Sequence, residues 1–308
     1  MEQQLIISPA PHIKSKLSVR SMMLDTIIAL IPSGIGAVIF FGYKSLLVIL
    51  TSIFSAILSE YFVNLLRKQQ PTIKDFSCVI TGLLLAYSLP SSTPLWIVAI
   101  GSFVGIVFGK MVFGGIGFNI FNPALVGRAF LQISFPVEIN TFVIDGITTA
   151  TPLTIIKNKM AYNLPDVYNL IIGNYASSLG ESSVILLLLG YLYLVLKKHI
   201  YPLPPLVYIT TVGLISLAVS PQNLPVYIFG GGLFLGAIFM ITDPVTTPVS
   251  LKGKIIFAIG CGILTCVIRF WGSYPEGVCF SILLMNLLTP IIDNYTIVKK
   301  FGSIKTER

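Results

Sequence analysis

Apolar residues arrive along this chain in ten runs of fourteen to twenty-two, separated by short stretches rich in Pro, Gly and Lys. The runs cover 22–41, 45–66, 76–89, 95–112, 120–134, 182–196, 203–219, 225–241, 254–271 and 276–292. About twenty apolar residues in an α-helix cross a hydrocarbon core. Shorter runs must tilt, thin the bilayer or lie within the bundle. No sustained alternation suits a β-barrel. The pattern therefore predicts an all-α polytopic membrane protein of about ten transmembrane helices.

The pattern also sets domain boundaries. Residues 1–21 form an N-terminal segment, 22–135 a first half of the membrane bundle, 136–181 the one long polar connection, 182–292 the second half, and 293–308 a tail. Pro9 and Pro11 interrupt any early apolar run, so no cleavable signal peptide is expected at the start.

Composition agrees with a membrane solvent. Hydrophobic residues make up 55% and charged residues 10%, against roughly 25% charged in soluble domains. Mean hydropathy is +0.89. The net charge of +8 sits at the ends of spans, which points to a membrane face and not to nucleic acid. With the N-terminus in the cytoplasm, cytoplasmic connections carry Arg67, Lys68, Lys74, Lys110, Lys197, Lys198, His199, Lys252, Lys254 and the Lys/Arg-rich tail. Lys44, Lys157, Lys159 and Arg269 run against this bias. It places both termini in the cytoplasm and residues 136–181 outside. Cys78, Cys261, Cys266 and Cys279 all fall in or beside apolar runs with no CxxC, and read as core residues.

An internal similarity appears at an offset of 131 residues. Residues 82–108 match 213–239 at nine of 27 positions without a gap, including Gly82/Gly213, Pro90/Pro221, Pro94/Pro225, Gly101/Gly232 and Gly105/Gly236. After a ten-residue insertion in the first copy, Asn122-Pro123 stands opposite Asp243-Pro244. Repeats built from short Gly/Pro-broken helices point to a site at their interface near mid-membrane. Four runs between the copies give them one direction; a half-helix miscounted would invert it.

The long connection holds Asp145-Gly-Ile-Thr-Thr-Ala-Thr-Pro-Leu153. This string resembles the acceptor sequence on which a flavin transferase joins the phosphate of FMN to a Thr hydroxyl, here Thr151. Asp145 would help the transferase, and Thr148, Thr149 and Ala150 leave room for the nucleotide. The structural alternative is a helix cap, since Thr is a good N-cap and Pro suits the first turn. Gly114-Gly-Ile-Gly is a weak phosphate loop and reads better as a broken helix, with Asn119 and Asn122 offering amides to a ring or an ion. Asp243 could coordinate Na⁺, relay a proton, or cap the turn begun by Pro244. Arg128 could neutralise a flavin phosphate or pair internally, and Glu181 could cap the sixth span. His12 and His199 look isolated, and no hydrolase or metal-spaced set appears. A solute transporter or channel remains the alternative class, because broken helices also suit a permeation path.

Taken with Ser8-Pro-Ala-Pro-His12, Gly82-Leu-Leu-Leu-Ala-Tyr-Ser-Leu-Pro90, Leu179-Gly-Glu-Ser-Ser183, Phe239-Met-Ile-Thr-Asp-Pro244 and Tyr274-Pro-Glu-Gly277, these motifs make the chain resemble the D-subunit family of the Rnf ferredoxin:NAD⁺ oxidoreductase. That family is similar to the B subunit of the Na⁺-translocating NADH:quinone reductase. The resemblance spans nearly the whole chain. It implies a lipid-embedded subunit of an ion-translocating complex in the bacterial inner membrane, with covalent FMN on Thr151 and riboflavin within the bundle of some relatives, Asn119 and Asn122 its candidate contacts. It also implies Na⁺ or H⁺ export, the A, B, C, E and G subunits as partners, and a flavin transferase for maturation.

Overall fold

A computed structural model describes residues 18–70, 72–144, 147–160, 164–181 and 183–296. Helix α1 (Val19–Phe41) starts where Ser18 and Ser21 satisfy each other's backbone amides, a reciprocal cap. Helix α2 (Tyr43–Leu66) follows one residue later, because Gly42 takes φ +73 and reverses the chain. Then come α3 (Ser77–Tyr87), α4 (Leu95–Ile106), α5 (Pro123–Ser134) and the short α6 (Pro136–Ile139). Strands β1 (Phe142–Ile144) and β2 (Ile147–Thr149) form an antiparallel pair with Phe142 opposite Thr149 and Val143 opposite Thr148. Short helices α7 (Pro152–Lys157) and α8 (Val167–Ile172) complete the long connection. The second half holds α9 (Val184–Leu196), α10 (Leu203–Val219), α11 (Leu224–Phe229), α12 (Leu233–Leu235), α13 (Leu251–Trp271) and α14 (Val278–Thr296).

Every one of the ten apolar runs is helical, but their ends move for local reasons. The run expected from residue 120 becomes helix only at Pro123, because Asn122 caps it by accepting from the Ala124 amide and Pro123 fills the first position. The run 225–241 divides at Gly230-Gly231-Gly232, and its two parts bend by 54°. Among the described residues, α1, α2, α13 and α14 are long and apolar enough to cross a membrane singly, and α11 with α12 pass the same test only as a bent pair, a broken span or a re-entrant loop. The runs are thus a mixture of full-length and short helices, as their range of lengths leads one to expect.

Two π-helical turns, Val107–Met111 and Gly236–Met240, end α4 and α12. Such turns are rare and gather at functional sites. Both straddle the ends of the stretches that match in sequence, and they lead into the Asn122-Pro123 and Asp243-Pro244 pairs respectively.

Lipid tails are as apolar as leucine, so helices in a bilayer associate through close packing and polar contacts. Helix α2 packs on α3 and α4, α4 on α5, α1 on α9, α10 on α13, and α13 on α14. The α4–α5 crossing shows how close the approach is. A Cβ at Gly127 would lie 2.5 Å from the Gly101 carbonyl oxygen, and one at Gly105 2.7 Å from that of Pro123. Only glycine permits this approach. Ser52 of α2 donates to the Gly82 carbonyl at 2.6 Å and shares a 2.9 Å bond with Ser102 of α4.

Successive helices run in alternate directions between two faces. One face gathers the starts of α1, α3 and α5 with the ends of α4, α9 and α12 around a single cavity. The other gathers the α1–α2 turn, the 88–94 loop, the long connection and the α13–α14 turn. Helices α3 and α10 therefore both leave the first face, and the matching stretches share one direction.

Candidate functional site

Thr151 stands where β2 gives way to α7. It is extended (φ −66, ψ 152), and its Oγ1 accepts the Thr154 amide at 3.3 Å and shares a 2.8 Å bond with the Thr154 hydroxyl. The capping geometry therefore exists. It leaves the half-buried hydroxyl on the wall of an open cleft lined also by Arg128, Gln132, Phe142, Glu181 and Glu276. Thr148 and Thr149 are exposed and Ala150 half-buried. Asp145 lies outside the described residues.

The anchor segment is held to the bundle at two points. Leu153 is 4% exposed and packs with Leu170, Tyr175, Val226 and Tyr227, while its Cδ1 lies 2.7 Å from where a Gly231 Cβ would stand. The Lys157 ammonium donates to the carbonyls of Tyr274 (2.7 Å), Arg269 (3.2 Å) and Ile268 (3.3 Å), closing the end of α13. Burial there holds its ammonium below the ordinary lysine range.

Behind Thr151 lies a buried charge cluster. Arg128 binds Glu276 and the Ser88 carbonyl and lies 3.5 Å from Glu181. Glu276 Oε1 accepts the Gly232 amide at 3.1 Å, at the break between α11 and α12. Arg269 donates to the carbonyls of Glu276 (2.8 Å) and Tyr227 (2.6 Å). Of the two roles open to Arg128, the structure displays internal pairing, and two carboxylates take up its charge. Glu181 sits in a 3₁₀ turn, Leu179–Glu181, and faces Arg128; the cap expected of it is not what its side chain makes. Two buried donors, Arg128 Nε and Arg269 Nη2, lack partners among the described residues. Arg128 and the Thr151 hydroxyl stand on one cleft, a cation and a nucleophilic oxygen of the kinds a phosphoester nucleotide needs.

The second concavity is the cavity of the first face, open on one side. It joins Asn119, Asn122 and Asp243 with Lys110, His199 and Phe239. Each expected amide is half used: Asn119 Nδ2 donates to the Phe121 carbonyl at 3.1 Å, and Asn122 Oδ1 caps α5. Asp243 accepts the Val245 amide (3.3 Å) and the Thr246 hydroxyl (2.9 Å), the turn-capping alternative in geometric form. Burial pushes its carboxyl above the ordinary range, against those two hydrogen bonds. Among the described residues no cluster of three or more His, Cys, Asp or Glu occurs. Any cation at Asp243 would need carbonyl and hydroxyl oxygens besides.

Two basic residues depart from expectation. Lys110 is not a surface charge: its ammonium is 2.6 Å from both Glu60 and the Ser77 hydroxyl, with side chains 3% and 0% exposed in the ion pair. His199 is not isolated: its Nε2 lies 2.6 Å from Asp25 Oδ2. Both partners come from distant helices, which no local pattern reveals. The four cysteines are free and buried, as core residues should be.

The model of the NQR2, RnfD, RnfE family matches residues 6–302. The chain is similar to the D subunit of a proton-translocating ferredoxin:NAD⁺ oxidoreductase complex from Clostridium ljungdahlii, with 44% identity over 96% of each chain. It is 40% identical to the D subunit of a Na⁺-translocating ferredoxin:NAD⁺ oxidoreductase complex from Acetobacterium woodii, over 100% of this chain and 98% of that one. The D subunit of an ion-translocating oxidoreductase complex from Aliivibrio salmonicida is 34% identical over 97% of this chain and 99% of its own.

Proposed function

The chain belongs to the NQR2, RnfD, RnfE family, and on that premise we propose that it is the membrane subunit of an ion-translocating ferredoxin:NAD⁺ oxidoreductase complex, with FMN joined to Thr151 as a phosphoester. The observation that carries this reading is the position of the Thr151 hydroxyl on a cleft walled by Arg128, on a segment pinned to the bundle. When bound, the flavin supplies one- and two-electron transfer. The protein's part is to hold it. Thr151 prevents loss of the cofactor to the medium, Leu153 and Lys157 fix the anchor, and the Arg128–Glu276–Glu181 cluster sets the field behind it.

The face bearing Thr151 is extracytoplasmic and the termini are cytoplasmic, in keeping with the distribution of Lys and Arg. Asn119 and Asn122 contact riboflavin in the cavity of the other face. Asp243 lies on the path of the coupling ion, Na⁺ or H⁺. The A, B, C, E and G subunits complete the circuit, and a flavin transferase matures the chain.

The test is in-gel flavin fluorescence of the denatured chain after co-expression with a flavin transferase, wild type beside Thr151→Ala. A band lost in the variant supports the covalent assignment. A band retained in the variant refutes Thr151 as anchor. A wild type without a band, with the transferase shown active, restores the solute-transporter reading.

A further inference from the structure

Two carboxyl groups on the cleft of Thr151 have one cation between them. Glu181 ends the 3₁₀ turn before α9, and Glu276 lies in the turn between α13 and α14. The two stand within hydrogen-bonding range of each other. The glycine at the α11–α12 break lets them meet there. A Cβ on Gly232 would lie 2.5 Å from Glu276 Oε1 and 2.6 Å from Glu181 Oε1. Arg128 reaches both carboxyl groups, and among the described residues no other cation forms an ion pair with either. Arg269 is near, but its Nε and Nη1 go to the backbone carbonyls of Glu276 and Tyr227. The Glu181 side chain is 3% exposed and that of Glu276 18%, so water reaches the pair from the side of Glu276.

Two carboxylates in contact away from water do not both ionise, and one guanidinium balances one negative charge. An ionised carboxylate only accepts hydrogen bonds, whereas a protonated carboxyl donates one. A single proton between the two groups therefore turns a repulsion into a hydrogen bond. The contacts assign the halves. Glu276 binds Arg128 directly and accepts the Gly232 amide at 3.1 Å, the surroundings of an anion. Glu181 has Arg128 only at 3.5 Å. Burial, and then the Glu276 carboxylate, push the Glu181 carboxyl well above the ordinary range, against Arg128 and the Ser178 hydroxyl.

We propose that Glu181 and Glu276 form a proton-binding site on the cleft of Thr151, holding one proton between them at neutral pH with Arg128 as the counter-charge. The proton sits on Glu181, is donated to Glu276, and exchanges with water at the exposed edge of Glu276. The site stands on the carboxyl pair alone; its link to electrons rests on the reading that the cleft carries FMN. There, an electron supplied by the complex adds one negative charge beside the pair. At a pH where the pair has lost its proton, that charge draws a proton from water, an O–H bond forms on a carboxylate oxygen, and the two charges cancel. Oxidation releases the electron and the proton together. The other groups facing the pair are Arg269 on α13, Cys279 on α14 and Tyr175, whose hydroxyl donates to the Glu181 carbonyl at 3.4 Å. Lys157 of α7 faces the backbone of the Glu276 turn.

The experiment is infrared difference spectroscopy of the assembled complex, wild type minus Glu181→Gln, titrated between about pH 5 and about pH 10, an interval that spans the raised values of buried glutamates. Glutamine keeps the shape of Glu181 and donates an N–H to Glu276 where the acid did, and co-purification with the complex reports that the variant is inserted. At neutral pH the difference should show the C=O stretch of a protonated carboxyl group, shifted in D₂O, and that band should vanish as pH rises. Glu276→Gln should move its disappearance to lower pH, because the repelling charge has gone. Reduction with dithionite should move it to higher pH in wild type and leave it in place in Thr151→Ala washed free of flavin. A difference that contains only carboxylate stretches at neutral pH overturns the proposal, both acids then being ionised against Arg128 and Arg269. A protonated band that titrates identically in the oxidised and reduced complex, with covalent FMN present, overturns the link to electrons. A wild type that shows the band but carries no covalent FMN refutes the flavin reading and leaves the proton site standing.

Discussion

Replacing Lys157 by Met removes one ammonium and keeps the length of the side chain. Three carbonyls at the end of α13 and the turn beyond it lose their donor: Ile268, Arg269 and Tyr274. A hydrogen bond from a charged group contributes about 1.5–3 kcal/mol. The three bonds come from one half-buried ammonium, and water reaches the carbonyls once it has gone, so the set is worth about 2 kcal/mol in docking α7. At roughly 1.4 kcal/mol per factor of ten, the undocked population rises about 30-fold. Hydrogen exchange of the Ile155 amide in α7 and of the Asn158 amide that caps its end reports that opening directly. Exchange should accelerate there by that factor and stay unchanged in α2, which does not touch the segment. An acceleration below about twofold would mean that Leu153 docks the segment unaided. The ammonium clamp would then be refuted as the element that holds Thr151.

Further outcomes follow from the same contacts. Arg128→Leu strands Glu181 and Glu276 in the bundle and should destabilise it by about 3–5 kcal/mol, read as a lowered melting temperature of the solubilised complex; an unshifted transition would show that the carboxylates find other partners. Gly127→Val drives a methyl-bearing carbon onto the Gly101 carbonyl at the α4–α5 crossing and should cost more than the roughly 1–3 kcal/mol of ordinary overpacking. Gly213→Ala, whose nearest neighbour is 3.5 Å away, should be neutral in the same melting assay, and equal stability of the two would defeat the close-packing account. Asp243→Asn keeps the acceptor for the Val245 amide and so keeps the turn; covalent flavin should persist while Na⁺ or H⁺ uptake into inverted vesicles falls, and unchanged uptake removes Asp243 from the ion path.

The ten apolar runs were legible as helical segments because a bilayer imposes an apolar composition on each. Capping pairs such as Asn122-Pro123 and Thr151-Pro152 were visible, yet the apolar run drawn from residue 120 overran the first of them. What stayed hidden was pairing across the chain. Arg128 meets Glu276 at a separation of 148 residues, His199 meets Asp25 at 174, and Lys110 meets Glu60 at 50. Periodicity reports which face of a helix is apolar, not which distant charge will face it. The break at Gly230-Gly231-Gly232 had a visible signal, three consecutive glycines, but its apolar flanks read as one continuous span. Thr151 was singled out through a motif whose meaning is chemical; that motif includes Leu153 but not Lys157, whose three carbonyl partners lie more than 100 residues away.

The Gly232 amide finds no acceptor in its own broken helix; it waits for Glu276, 44 residues further along the chain. During synthesis α11 and α12 therefore leave the ribosome with an amide that hydrocarbon cannot satisfy. The bent span cannot settle in lipid until α13 has crossed and the following turn has returned. Biogenesis of this half is consequently a concerted event of three spans, and a nascent chain halted before residue 276 should be held at the insertion machinery, unable to pass into the bilayer.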